Sequence, residues 1–409
     1  MKLVTKISFY LLTIFFIILA NQISIAQWVQ TNGPGGGVVY TFAVSDTNLF
    51  AGTSGGGVFL STNNGNSWTM VNSGITNNNV RSLAVSGMNL FAGTFGGGVF
   101  LSTNNGTSWT EVNSGLSDHY VQSLIISGTN LFAGTYGSGV FLSTNNGTSW
   151  TEASSGLTYT NVLSLAVSGT NLFAGTYGGG IFISTNNGLS WTAKGLTNID
   201  IWTLAVNGMN LFAGTDGSGV FLSTNNGTNW TEVNYGLINK YVRTLTISNS
   251  NLFAGTYGSG VFLLTNNDTS WTEVNTGLGI TEISSLIVSD TNLFAGSYSG
   301  NVWRRPLSEM ITSVEGSSID LPIGFVLSQN YPNPFNPSTK IKYSVPHSSK
   351  IVIKVYDILG NEIKTLVNKE KARGTYEITW YAKGLPSGVY FYQLKSDNYI
   401  ETKKMLLLK

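Results

Sequence analysis

A four-residue motif, Leu-Phe-Ala-Gly, occurs seven times, with its Phe at Phe50, Phe91, Phe132, Phe173, Phe212, Phe253 and Phe294, so the steps are 41, 41, 41, 39, 41 and 41 residues. Near-verbatim repetition at that period restricts the chain to architectures in which one small unit stacks on copies of itself. A second motif, commonly Ser-Thr-Asn-Asn-Gly-x-Ser-Trp, places Trp68, Trp109, Trp150, Trp191, Trp230 and Trp271 at matching spacing, six times rather than seven. The seventh is Trp28, because Trp28-Val-Gln-Thr-Asn-Gly aligns with the segment beginning at Trp68 one period later. The last copy runs through residues 283–288, 293–296 and 301–304 and stops before any Asn-Asn-Gly turn. The first copy lacks its beginning and the last lacks its end.

Alternation and turn residues divide each unit into four short strands. In the second copy these fall at residues 80–85, 90–94, 99–103 and 109–113, separated by turns at 86–89, 96–98 and 104–106. Four antiparallel strands per unit of this length describe a propeller blade. An open fan of blades would expose strand edges, whereas a ring whose terminal blade mixes both ends removes them. The offset termini therefore predict that the strand at Trp28 becomes the outer strand of a blade begun by residues 283–304. An all-β, seven-bladed propeller follows, with an open β-solenoid as the competing fold.

Composition agrees with short strands and tight turns: 49 glycines, 12% aromatic residues and 10% charged ones. With no cysteine, neither disulfides nor thiolate sites are available. Residues 28–310 carry a net charge of −6, which argues against nucleic acid as a partner, since phosphate neutralisation needs clustered Lys and Arg. Only His119 and His347 are present, in different modules, so no metal or cofactor site is read from the chain.

Residues 1–26 have Lys2 and Lys6, an uncharged apolar run over 7–20, and Ser24-Ile25-Ala26 before Gln27, the order of a cleavable signal peptide. An N-terminal anchor is the other reading. No further segment approaches the ~18 apolar residues that span a bilayer, so the mature chain is expected to lack a transmembrane segment.

The Trp motif resembles the Asp-box, or BNR, repeat of sialidases, sortilin-like receptors and secreted propeller glycosidases. Where that family has Asp, this chain has Asn63, Asn104, Asn145, Asn186, Asn225 and Asn266. Asn makes the same short side-chain to backbone bonds and tolerates left-handed geometry, so the turn is expected to survive. The final copy, with Leu264 and Asp268, is expected to have the weakest turn. The resemblance implies a hairpin between the two outer strands, remote from the active face, with the Trp packed over its own turn.

Variable loops locate function on a propeller. The loop after Leu-Phe-Ala-Gly carries Ser54, Phe95, Tyr136, Tyr177, Asp216, Tyr257 and Tyr298, and the variable connections between blades carry Tyr120, Trp202 and Tyr241. These rings beside Asn, Asp and His form a candidate face for sugar rings or a protein loop. The alternative is that the aromatics cover glycine turns and pack between blades. Sialidase chemistry, as the resemblance implies it, needs three arginines on one face with a Tyr nucleophile; residues 28–310 offer only Arg81, Arg243, Arg304 and Arg305, and no triad is assembled from them. Asp118, Asp200, Asp216 and Glu282 lie in the right loops for a glycosidase or lyase, which needs two facing carboxyl groups. No catalytic residue is assigned. A glycan- or protein-binding monomer is the leading expectation, with a secreted hydrolase or lyase and a structural scaffold as alternatives.

Residues 27–310 thus read as the propeller, 311–320 as a polar linker, and 321–409 as a second module with alternating runs at 340–345, 350–356, 362–367, 375–381, 388–394 and 401–408. Six or seven strands in that length suggest a small Ig-like sandwich. The module resembles the type A sorting domain of the type IX secretion system, carried by Asn330-Tyr-Pro-Asn-Pro-Phe-Asn-Pro-Ser-Thr339, Val355-Tyr-Asp-Ile-Leu-Gly-Asn-Glu362, Gly384-Leu-Pro-Ser-Gly-Val-Tyr390 and the closing Lys403–Lys409 run. A generic Ig-like adhesion domain is the alternative. The resemblance implies a Bacteroidetes-type bacterium, recognition by the outer-membrane translocon, and release or surface attachment.

Overall fold

The computed structural model describes residues 27–265, 270–311, 324–346, 349–371, 374–396 and 399–408. The leader at 1–26, nearly all of the linker at 311–320 and the altered turn at Asp268 lie outside the described residues.

Seven four-stranded antiparallel sheets form the propeller. The first six are continuous in sequence; the second, for example, contains Val80–Ser86, Asn89–Thr94, Gly98–Ser102 and Thr110–Glu111. The seventh joins Ile283–Ser289, Asn292–Ser297 and Asn301–Pro306 to Val29–Pro34, which pairs antiparallel through Val29 opposite Arg304 and Gln30 opposite Trp303. The ring is therefore closed by the strand that follows Trp28. Inner strands of neighbouring blades pack side by side, and Val39–Ser45 meets Ile283–Ser289 at the seam. There Ser284 and Ser285 both donate their hydroxyls to the Val39 carbonyl at 2.7 Å.

The core lies between blades. Phe91 and Val99 of the second blade are buried with Val121 and Leu131 of the third, and the same arrangement recurs around the ring. Each buried Phe contributes on the order of 2–3 kcal/mol. The Gly of Leu-Phe-Ala-Gly has a packing reason: a Cβ at Gly93 would come within 2.6 Å of Val121 of the next blade, and at Gly296 within 2.7 Å of Val39 across the seam. No side chain fits where adjacent blades approach so closely.

One expectation is corrected and another is extended. The outermost strand is two residues long, Thr110–Glu111 in the second blade, rather than the five at 109–113. The Asn113 side chain takes over the pairing, accepting from Val99 N at 2.7 Å and donating to the Gly97 carbonyl at 2.9 Å. The motif Trp also reaches beyond its own turn to the preceding blade. Trp109 donates its main-chain N–H to Ser73 O at 2.8 Å and its indole N–H to Val71 O at 2.7 Å, both on the preceding blade, and Trp150, Trp191 and Trp271 repeat this clasp. A buried indole N–H needs an acceptor, and the neighbour's short outer strand leaves carbonyls free to supply one.

The turn itself is held as the Asn substitution predicts. Asn104 Oδ1 accepts from the Ser102 hydroxyl and from Ser108 N, each at 2.9 Å, while Asn105 and Gly106 adopt φ of 54° and 80°.

The C-terminal module has a three-stranded sheet (Val326–Leu327, Ser338–Val345, Gly374–Tyr381) and a four-stranded sheet (Glu362–Lys371, Ser349–Tyr356, Gly388–Ser396, Tyr399–Leu407) over one core. Its proline-rich motif is anchored by Asn330, which is buried and donates to Thr339 Oγ1 at 2.9 Å and to the Pro332 carbonyl at 3.1 Å. The Tyr392 hydroxyl accepts from Asn330 N at 2.8 Å and donates to Ser328 O at 2.7 Å. No helix among the described residues is long and apolar enough to cross a membrane.

Candidate binding face

In every blade the inner strand carries a bulge at the same place. Val80 pairs with Thr94 and Ser82 with Gly93, which leaves Arg81 as the extra residue. Tyr40, Gln122, Leu163, Trp202, Arg243 and Ser284 occupy this position in the other blades. A bulge bends the strand and re-aims a side chain. Because Val80 faces Thr94, the bulged residue lies at the same end as the loop that begins with Phe95. Isolated bridges join that loop to the following inter-blade connection: Phe95 with Tyr120, Tyr136 with Asn161, Asp216 with Tyr241, and Tyr257 with Glu282. Loop, connection and bulge therefore share one mouth of the ring.

Two clusters form there. The Arg81 guanidinium lies 3.8 Å from the Tyr40 ring centroid and 4.9 Å from that of Phe95, and its Nε donates to Asn79 Oδ1 at 3.0 Å. Phe95 meets Tyr120 edge-on at 4.8 Å and lies 6.0 Å from Tyr136. In the second cluster the Arg243 guanidinium sits 4.1 Å from the Trp202 centroid and 5.6 Å from that of Tyr257, with Nη2 3.1 Å from Asp216 Oδ1. Tyr257 meets Tyr298 edge-on at 5.0 Å.

Tyr298 stands between the clusters. Burial pushes its hydroxyl up from its ordinary value, against the opposing pull of Arg243 and Arg81. Burial also lowers Arg81, while Tyr40 and Tyr298 raise it. An arginine so placed still keeps its charge at neutral pH.

The face thus gathers Phe95, Tyr120 and Tyr136 in one cluster and Trp202, Asp216, Tyr257 and Tyr298 in the other. Tyr241 touches the second through its bridge to Asp216. Tyr177, on the fourth blade, makes no ring contact within the described residues and is half exposed. The loop reading missed Tyr40, Arg81 and Arg243. Their signal was available: the second residue of the inner strand takes six different types in seven blades whose other positions scarcely change.

The carboxylates are largely engaged. Asp118 accepts from Tyr120 N at 2.9 Å, Asp200 from Gly178 N at 2.7 Å, and Asp216 faces Arg243. Among the described residues no group of three or more His, Cys, Asp or Glu is arranged to hold a metal ion.

Residues 329–408 match the family described as the secretion system C-terminal sorting domain, and residues 35–158 match a β-propeller family, the DUF6242 β-propeller domain. No curated protein sequence matches the chain. Among solved structures, the chain is similar to PorZ, a surface component of the type IX secretion system of Porphyromonas gingivalis, at 18% identity and a TM-score of 0.52, covering 93% of this chain and 61% of that one. It is similar to a GH74 enzyme of Niastella koreensis at 17% identity and a TM-score of 0.56, covering 78% and 59%. YCF48 of Cyanidioschyzon merolae is 15% identical, with a TM-score of 0.55 and coverage of 69% and 99%. At such identities these structures bear on the fold alone. The sorting domain places the chain on the type IX route, which delivers proteins to the cell surface or the medium in Bacteroidetes, and makes the secretion machinery its partner.

Proposed function

We propose that this exported chain is a binding protein that holds a polysaccharide across one mouth of its propeller. The observation that carries the reading is the crowding of flat, half-exposed rings at that end. Tyr120, Tyr136, Tyr177, Tyr241 and Tyr257 retain between 43% and 51% of their surface. A ring half open in this way offers an apolar face to the C–H face of a sugar and a hydroxyl to its edge. Single exposed aromatics are ordinary, but a gathered set marks an interaction surface.

Hydrolysis is the competing reading, and the two structural neighbours that are GH74 enzymes keep it in view. Glycosidases need two carboxyl groups about 5–10 Å apart across a cleft. Asp118 and Asp200 are instead held by main-chain N–H groups. Binding without cleavage is therefore favoured. Replacing Tyr136, Tyr177 and Tyr257 together by Ala should abolish retention on glycan arrays and cell-surface preparations; unchanged retention would overturn the proposal.

A further inference from the structure

Arg243 and Trp202 leave three donors unused. Trp202 Nε1, Arg243 Nε and Arg243 Nη1 are buried and have no hydrogen-bond partner among the described residues. A stacked arginine that served only to staple blades together would be expected to have its N–H groups satisfied, since each buried, unpaired donor costs about 1–3 kcal/mol. Orphaned donors of this kind occur where an ordered water, an ion or a ligand supplies the acceptor. Asp216, the single carboxylate paired with Arg243, approaches only Nη2. Around the mouth, Arg81 presents a second guanidinium on the other side of Tyr298, stacked on Tyr40 and Phe95. Three of the six basic residues in a segment of net charge −6, Arg81, Lys240 and Arg243, thus lie at this one end.

We propose that the polysaccharide is acidic: one of its oxyanions, a carboxylate or a sulfate, is held by Arg243 and the Trp202 indole N–H, and Arg81 takes a second along the strand. Guanidinium forks match both oxyanions. The aromatic rims of the two clusters supply the stacking that sugar rings use and an extended acidic peptide lacks, which favours a glycan. With a net negative propeller, attraction is confined to contact distance, so affinity depends on these two side chains rather than on long-range steering.

The inference rests on the polysaccharide reading above and is tested separately from it. The mature chain is assayed for retention on polygalacturonate, dextran sulfate, unmodified dextran and polyglutamate. Retention on polygalacturonate or dextran sulfate is expected, and which of them binds identifies the oxyanion. R243Q and R81Q should each weaken that retention at least about tenfold. D216N removes a competing carboxylate and should strengthen it, whereas a purely structural Asp216–Arg243 pair would give weaker retention. R243K, which keeps charge and bulk, stands in if R243Q fails to fold, and should lose the fork-dependent part. Retention of dextran alone, or acidic retention untouched by the arginine variants, overturns this inference while leaving the polysaccharide reading intact. Retention of polyglutamate alone overturns both; no retention on any of the four probes overturns this inference, and the glycan-array test then decides the polysaccharide reading.

Discussion

Trp28 donates its indole N–H to the Val274 carbonyl at 2.6 Å, tying together residues 246 apart in sequence. The side chain is 2% exposed and packs with Phe253, Leu263 and Val274. Truncating it removes both the bond and the packing. Trp28→Ala should cost about 3–5 kcal/mol, measured by equilibrium denaturation, and Trp28→Phe less because it keeps most of the apolar surface.

The Asn104 turn predicts an asymmetry between two small substitutions. Asn104→Asp keeps both acceptances by Oδ1, and the Ser108 hydroxyl, which now accepts from Asn104 Nδ2 at 2.9 Å, can rotate to donate instead. That variant should melt within about 1–2 °C of the parent. Asn104→Ala strands the Ser102 hydroxyl and Ser108 N and should lose about 1–2 kcal/mol.

Two glycines with positive φ should respond differently to Ala. Gly115 has φ +83°, and a Cβ there would collide with the Trp150 carbonyl oxygen of the next blade. Gly128 has φ +61° with nothing within 4 Å. Gly128→Ala should cost only the left-handed strain, about 1 kcal/mol. Gly115→Ala should cost clearly more, because the blade interface must also open. Thermal melts of the two variants side by side check this.

Acid should weaken the C-terminal module. Burial pushes the Glu401 carboxyl up, but bonds from Tyr399, Lys403 and Leu327 N outweigh it and hold the carboxyl below its usual value. Asp357 is likewise held low by the Asn361 side chain and backbone. A carboxyl with a depressed folded pKa contributes its stability fully above its unfolded pKa and loses it as pH falls through the folded one. The melting temperature of the module should therefore drop between about pH 5 and about pH 3. Glu401→Gln should start lower at neutral pH and show a flatter acid limb.

Deleting residues 321–409 should leave the propeller in the periplasm, read by cell fractionation. Appearance of the truncated chain at the surface in normal amount would count against the sorting role of this module.

Periodicity makes the blades and their closure legible, because Trp28 supplies the missing seventh member and a ring must satisfy its own edges. The strands of the C-terminal module are legible from alternation for the same reason: Ile341, Tyr343 and Val345 point into the core and Lys340, Lys342 and Ser344 do not. The short outermost strand was not legible, since nothing in Trp-Thr-Glu-Val-Asn says that the Asn side chain replaces the main chain as partner. Nor was the Trp clasp, which depends on a neighbour 38 residues away. On the binding face, the loop aromatics stood out by varying against a constant background. Arg81 and Arg243 vary as strongly with their counterparts in other blades, but a bulge hides within a strand and alternation alone assigns its residue to a face it does not occupy.

Gln30 and Asn301, bonded at 3.1 Å, are 271 residues apart, and that separation sets the order in which the molecule can be made. During synthesis and translocation the segment Val29–Pro34 emerges first and waits without a mate while six blades form behind it. The ring locks only when the final propeller strands arrive, so until then this edge is the one open to pairing with a neighbouring chain.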